Sequence, residues 1–369
     1  MTGSTVSSKY WSATVKALTP YVPGEQPQGR PVIKLNTNEN PYPPSPLVKQ
    51  ALLEKVGEDA ADLRLYPSYD AMELKSELAK YHGVRTDQIF LGNGSDEVLA
   101  HVFQGLLKHK HPVLFADISY SFYAVYCGLF NIEYEKVPLT EDFHLRVDDY
   151  LRSERRANGG IVIANPNAPT GMALPVEEIE RLAQMNLQSV VVVDEAYVDY
   201  GGQTAIPLIG KMPNLLVVRT FSKSRALAGL RVGYAVGDAA LIEALERVKD
   251  SFNSYPLDAL AQAAAAASMR DDAYFERQKQ AVIESRNRLS RQLQDLGFTV
   301  LPSSTNFLFA SSKKIAAVQL VEQLKARGIL IRHFRAPRID NFVRISIGTE
   351  QECDLLVQAC QEIFAHGAV

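Results

Sequence analysis

Ser222, Lys223 and Arg231 come after the apolar run at 215–218, so a hydroxyl, an amine and a guanidinium gather at the mouth of one strand. A lysine amine in a semi-buried site can add to an aldehyde as a Schiff base. A serine and a planar, multi-donor guanidinium beside it suit a phosphate. Taken alone, Lys223 is more simply a surface lysine in a polar loop. The ends of the neighbouring apolar runs reverse that reading.

Residues 89–91 run into Gly92-Asn-Gly-Ser-Asp96 and then a helix, whose terminal N–H groups make an anion site from Gly94, Ser95 and Asp96. The run 113–116 leads to Tyr120, which offers an aromatic face, and 161–164 leads to the rigid polar turn Asn165-Pro-Asn-Ala-Pro-Thr-Gly171. The run 190–193 ends in Asp194-Glu-Ala-Tyr197. In a doubly wound sheet, ligands sit at the carboxyl ends of the strands. Five such ends supply a phosphate nest, a ring, an amide, a carboxylate with a phenol, and a lysine with further phosphate ligands. Pyridoxal 5'-phosphate needs that set: an amine for its aldehyde, a carboxylate for its ring nitrogen, neutral donors for its 3'-oxygen and donors for its phosphate.

The elements that must position these groups are short continuous apolar runs alternating with helical spacings at 47–56, 71–81 and 97–107. Runs of that kind mark strands buried on both faces, hence a largely parallel sheet covered by helices, an α/β architecture. The alanine-dense stretch 258–269 predicts a helix of small residues packed close to its neighbours, and 272–296 a long charged amphipathic helix. Strand-like runs at 298–301, 307–309, 329–331 and 342–347, a helical stretch at 315–327 and a last helix at 353–365 predict a smaller α+β domain. The expected division is 1–50 as an N-terminal arm with part of the small domain, 51–270 as the large cofactor-binding domain, and 271–369 as the small C-terminal domain.

The bulk numbers exclude several classes. The chain has 369 residues, 46% of them apolar, and 39 basic against 42 acidic residues give a net charge of -3. That balance offers no attraction to nucleic acid or anionic membrane. The three cysteines, Cys127, Cys353 and Cys360, have no metal-ligand spacing, and reduced thiols in a cytoplasmic protein is the simplest reading. Residues 1–11 are polar and lack the apolar core of a secretion signal, and no apolar run approaches a membrane span.

Further motifs carry a resemblance. Leu18-Thr-Pro-Tyr-Val-Pro-Gly24, Leu35-Asn-Thr-Asn-Glu-Asn-Pro41, Leu65-Tyr-Pro67, Ser304-Thr-Asn-Phe307 and Val343-Arg-Ile-Ser-Ile-Gly-Thr349 join the segments already named. With them the chain resembles, over nearly its whole length, the class I/II aminotransferases of fold type I, and within them the histidinol-phosphate aminotransferase branch. The resemblance implies a mostly parallel seven-stranded sheet flanked by helices and a homodimer. It further implies transfer of an amino group between L-histidinol phosphate and 2-oxoglutarate, a step of histidine biosynthesis.

Carried over by position, Lys223 anchors the cofactor and shuttles a proton, Asp194 pairs with the ring nitrogen, and Tyr197 with the 3'-oxygen. Tyr120 stacks on the ring, and Gly94, Ser95, Asp96, Ser222 and Arg231 hold the phosphate. Tyr66 reaches the cofactor of the neighbouring subunit. Tyr21, Asn36, Asn306, Arg332 and Arg344 receive the substrate, Arg344 serving a carboxylate or a phosphate. One position departs from the family pattern: Ala168 stands where an asparagine directly precedes Pro-Thr-Gly. Either Asn167, the favoured candidate, or Asn165 takes over the contact to the 3'-oxygen, or Tyr197 is its only partner. Rival readings on the same fold are an aromatic amino-acid aminotransferase, a phosphothreonine decarboxylase, and, more remotely, a non-enzymatic regulator that binds the cofactor.

Overall fold

A computed structural model describes residues 9–20, 32–155 and 157–366. Its strands are β1 (Ile33–Leu35), β2 (Ile89–Asn93), β3 (Val113–Ala116), β4 (Tyr134–Val137), β5 (Gly160–Ala164), β6 (Val191–Asp194), β7 (Leu215–Thr220), β8 (Val232–Gly237), β9 (Phe298–Val300), β10 (Phe307–Ser312), β11 (Ile329–His333) and β12 (Phe342–Ser346). The larger sheet has the order β2-β8-β7-β6-β5-β3-β4. It is parallel except at β8, which runs antiparallel to both of its neighbours.

The continuous apolar runs have the expected cause. Val191, Val192 and Val193 are all fully buried, as are Leu215 to Val218, because helices cover both faces of the sheet. Each such side chain contributes about 1.5–3 kcal/mol relative to exposure. The apolar residues divide between a cluster containing Ile161, Val191, Val193 and Val217 and another containing Val162, Val192, Leu216 and Val218. Alternation along each strand thus feeds two separate layers.

The helix Ala259–Met269 buries Ala261 and Ala264 through Ala267, so its alanines permit the close approach expected of them. The second sheet has the order β1-β11-β12-β10-β9 and its own core, built on Leu308, Ile331, Ile345 and Leu356 among others. Its first strand comes from the far N-terminal side of the chain and pairs in parallel with β11.

Several elements differ from the sequence reading. β1 and β4 are too short to stand out. Also passed over are the helix Phe122–Phe130, which is apolar nearly throughout, and the helices Val176–Met185 and Ala239–Asp250, whose apolar spacing buries Ile179 and Leu182, and Ile242 and Leu245. The helix expected over 97–107 begins three residues earlier, at Gly94, and its last turn, Phe103–Leu107, is a π turn. Cys127, Cys353 and Cys360 are buried free thiols, and burial pushes Cys127 up to about 12.

Candidate active site

The carboxyl ends of the central strands open on a cavity of about 240 Å³. Ser95, Asp96, Tyr120, Asp194, Tyr197, Ser222, Lys223 and Arg231 line its large-sheet side, and Asn36, Thr37, Asn38, Glu39, Arg332 and Arg344 the side of the smaller sheet.

The anion end is a close-packed cradle. Gly94 begins the helix Gly94–Val102 with φ +80°, and a Cβ there would lie 2.3 Å from Arg231 Nη2. A Cβ on Gly233 of β8 would come 2.3 Å from Ser95 N. Both positions therefore require glycine to bring the helix terminus, strand and guanidinium together. Arg231, itself at φ +53°, donates from Nη2 to Asp96 Oδ2 at 3.0 Å and from Nη1 to Ser222 Oγ at 3.3 Å. The Tyr120 hydroxyl donates to the other Asp96 oxygen at 2.8 Å, which anchors the phenol end of the side chain.

Asp194 closes β6 and is 6% exposed. Its hydrogen bonds come from neutral donors, the Tyr123 hydroxyl at 2.8 Å and Ala196 N at 3.2 Å. Burial outweighs them and raises its pKa from 3.8 to about 6. Among the described residues no cation pairs with this carboxylate, and a protonated ring nitrogen would supply one.

Lys223 Nζ donates to Thr37 O at 3.3 Å and lies 5.8 Å from the Tyr197 ring centroid. Its backbone is fixed from outside the sheet, because Asn40 Nδ2 donates to Lys223 O at 3.1 Å and Ser224 O at 3.2 Å. Behind it, the Ser224 hydroxyl donates to Asp199 at 2.5 Å, and Arg219 pairs with the same carboxylate. A buried carboxylate short of a cation, an amine within the same cavity and a glycine-walled anion cradle together fit pyridoxal phosphate.

On the opposite wall, Arg344 donates to Asn36 O at 3.1 Å, and its guanidinium lies between Phe307 and Phe334, 5.4 Å and 5.5 Å from their centroids. Arg332 faces Phe334 at 5.9 Å.

The family model described as "Aminotransferase class I and II" matches residues 30–360. The chain belongs to that family. A histidinol-phosphate aminotransferase of Dechloromonas aromatica is 57% identical over 356 residues, covering 96% of this chain and 99% of its own. One from Pseudomonas aeruginosa is 56% identical, covering 95% and 98%. The crystal structure of the Sinorhizobium meliloti histidinol-phosphate aminotransferase, in complex with pyridoxal-5'-phosphate, has a TM-score of 0.89 at 26% identity and covers 99% of this chain and 100% of its own.

Not every expected aminotransferase site residue reaches the cavity. Asn167 does not: its Oδ1 accepts from Ser119 Oγ and its Nδ2 donates to Ile118 O and Thr170 Oγ1, so the turn consumes its amide. Asn165 likewise bonds Leu174 through both amide atoms. Ala168 lines the cavity in their place. Asn306 is fully buried behind the wall, donating to Asn38 O at 3.0 Å. Tyr66 is 82% exposed and stacks on Tyr255 at 4.8 Å, away from the cavity of its own chain. Tyr21 lies outside the described residues.

Three residues that build the site, Tyr123 behind Asp194 and Asn38 and Glu39 on the cavity wall, escape the sequence reading. Tyr123 sits in an aromatic-rich helix where it reads as core, and its spacing of three from Tyr120 is the available signal. Asn38 and Glu39 lie inside the Leu35–Pro41 motif, but nothing in their types distinguishes them from Asn36.

Proposed function

We propose that this aminotransferase exchanges an amino group between L-histidinol phosphate and 2-oxoglutarate, giving imidazole-acetol phosphate and L-glutamate. The observation that carries the reading is the arginine wall formed by Arg332 and Arg344 opposite Lys223, in a chain 57% identical over nearly its full length to a histidinol-phosphate aminotransferase. Both half-reactions use one cavity, so one cationic wall must accept a carboxylate in the first and a phosphate in the second. Arginine suits both because its planar donors match either anion.

Pyridoxal phosphate supplies the aldehyde carbon that takes up the amino group and a ring that withdraws electrons as a Cα proton leaves. The chain's residues do the rest. The Ser95 and Asp96 N–H groups, Ser222 and Arg231 hold the phosphate, with Gly94 leaving room for the Arg231 guanidinium. Asp194 holds a proton on the ring nitrogen, and Tyr120 covers the ring. Lys223 anchors the cofactor and, when displaced by substrate, moves the proton at the substrate Cα. Tyr197 donates to the 3'-oxygen. Glu39, fixed by Lys34 at 2.7 Å and Thr37 at 2.9 Å, adds negative charge at the entrance beside Lys223.

Among the described residues no helix is long and apolar enough to cross a membrane. We place the enzyme in the cytoplasm as a homodimer. Leu63, Leu65, Tyr66 and Phe252 are each more than half exposed, an apolar surface that a second copy would cover. Tyr66 would then reach the partner's cofactor phosphate.

The test is a scan of half-reactions. Holoenzyme is mixed in turn with histidinol phosphate, glutamate, phenylalanine and phosphothreonine while the cofactor absorbance is monitored. Rapid conversion with histidinol phosphate and glutamate is expected. A clear preference for phenylalanine would make it an aromatic aminotransferase, and carbon dioxide release from phosphothreonine a decarboxylase.

A further inference from the structure

Ala168 leaves the cavity without the amide that the turn before Pro169 could have offered, and the amides of Asn165 and Asn167 are spent on Leu174 and on Ile118, Ser119 and Thr170. Another amide stands close by. Asn38 Nδ2 donates to the Tyr197 hydroxyl oxygen at 2.9 Å, from a loop 159 residues away in sequence. Resting on the assignment of pyridoxal phosphate to this cavity, we infer that Asn38 is a positioning residue for Tyr197, making that phenol a fixed donor to the cofactor's 3'-oxygen.

The orientation is set by donor chemistry. An amide NH₂ group donates and does not accept, so the phenol hydrogen cannot return to Asn38 and must be directed elsewhere. The other end of the amide is fixed as firmly. Ser346 Oγ accepts from Asn38 N at 2.8 Å and donates its single hydrogen to Asn38 Oδ1 at 2.9 Å. Asn38 O accepts from Asn306 Nδ2 at 3.0 Å. Both backbone polar groups and both side-chain polar atoms of Asn38 are thus engaged, at 1% exposure. Its φ of +56° is a left-handed conformation that asparagine tolerates better than most residues. The Tyr197 ring stands edge-on to Phe307 at 5.1 Å, which limits rotation of the phenol as a whole.

A donor to the 3'-oxygen favours its ionised form, so a misdirected phenol should move the pH at which the bound cofactor changes colour. Holoenzymes of wild type, Asn38→Gly, Tyr197→Phe and the double variant are titrated by absorbance. Glycine accepts the positive φ and carries no charge. Lys223, Asp194, Glu39, Asp96 and the three cavity arginines remain the same in every variant. Asn38→Gly is expected to raise the midpoint by about half a unit to one unit, the worth of a neutral hydrogen bond. In the Tyr197→Phe background the same substitution should move it no further, because the effect passes through the phenol. A loosened loop alone would act in both backgrounds. If the glycine variant does not fold, Asn38→Asp, which keeps an acceptor for Ser346, takes its place, and its shift should shrink when Tyr197 is absent. A wild-type midpoint in the Asn38 variant, or equal shifts in both backgrounds, overturns this inference alone. A wild-type protein with no cofactor absorbance overturns it together with the functional reading.

Discussion

Arg332 and Arg344 are directly paired positions on the adjacent antiparallel strands β11 and β12. Like charges so placed repel, and an anion received by both relieves the repulsion. The second sheet therefore presents a cationic site facing the lysine of the first.

Removing each arginine should separate the two half-reactions. Arg344→Ala is expected to slow both, because a carboxylate and a phosphate use the same guanidinium. Arg332→Ala should reduce kcat/KM for histidinol phosphate by about one to two powers of ten, the worth of a charge-assisted bond of roughly 1.5–3 kcal/mol, and largely spare glutamate. Single-turnover rates with each substrate decide it, and equal losses for both substrates with Arg332→Ala would remove its special role.

Lys223→Ala should bind cofactor without covalent attachment and lose turnover by about a thousandfold or more, since anchor and proton carrier go together. Borohydride treatment and then peptide mass analysis should find the adduct on Lys223 in wild type. An adduct on another lysine would contradict the assignment.

Asp194 makes the cofactor-free protein pH-sensitive in a defined direction. Burial raises its pKa from 3.8 to about 6, so the folded state binds this proton more tightly than the unfolded chain does. The associated stability is full below pH 3.8 and lost as pH rises through about 6. Asp194→Asn should therefore raise the Tm of the cofactor-free protein by a few degrees at pH 8 and by little at pH 5, roughly as a shift of this size implies. The same variant should lose kcat in the holoenzyme, where the carboxylate has a cation to hold. Equal changes in Tm at the two pH values would show that burial is not straining this carboxylate.

Gly233→Ala should damage the anion cradle through the backbone. Its new Cβ would meet Ser95 N at 2.3 Å, and a main-chain atom of a helix terminus cannot step aside as a side chain can. A loss of about 1–3 kcal/mol in stability is expected, with a weaker Kd for pyridoxal phosphate. Thermal unfolding and fluorescence titration measure the two, and an unchanged Kd would show that the cradle does not depend on this contact.

If Tyr66 completes the site of a second copy, as proposed, mixing two impaired variants should restore activity. In a hybrid of Lys223→Ala and Tyr66→Ala chains, one site pairs an intact lysine with an intact tyrosine from the other subunit. Activity should reappear on mixing and subunit exchange. Its absence, with hybrids verified by mass, would confine Tyr66 to its own surface.

The strand ends are readable in the sequence because buried parallel strands are continuous apolar runs, and the residues just past each run face the cavity. Lys223, Asp194, Tyr197, Tyr120 and Arg231 all line it. The reversed direction of β8 is hidden, since an apolar strand reads alike in either direction. Asn167 is misleading for a different reason. Its residue type suits a ligand, but amide direction is set by Thr170 in the same turn and by Ser119, which the fold brings in from 48 residues away. Asn38 is inconspicuous because its decisive contact, Ser346, lies 308 residues away.

β12 also connects two tasks. Arg344 and Ser346, two residues apart on one face, hold the same loop at Asn36 and at Asn38. The strand that carries Arg344, the residue proposed to receive the substrate's anionic end, thus also steadies the loop beside Tyr197. Thermodynamic reciprocity applies to the pair: whatever factor an anion at Arg344 imposes on proton affinity at the cofactor, the cofactor's protonation imposes on the anion. A non-reacting phosphate or dicarboxylate should then reveal its own binding as a change of colour, so the protein carries an unlabelled affinity assay for its substrate pocket.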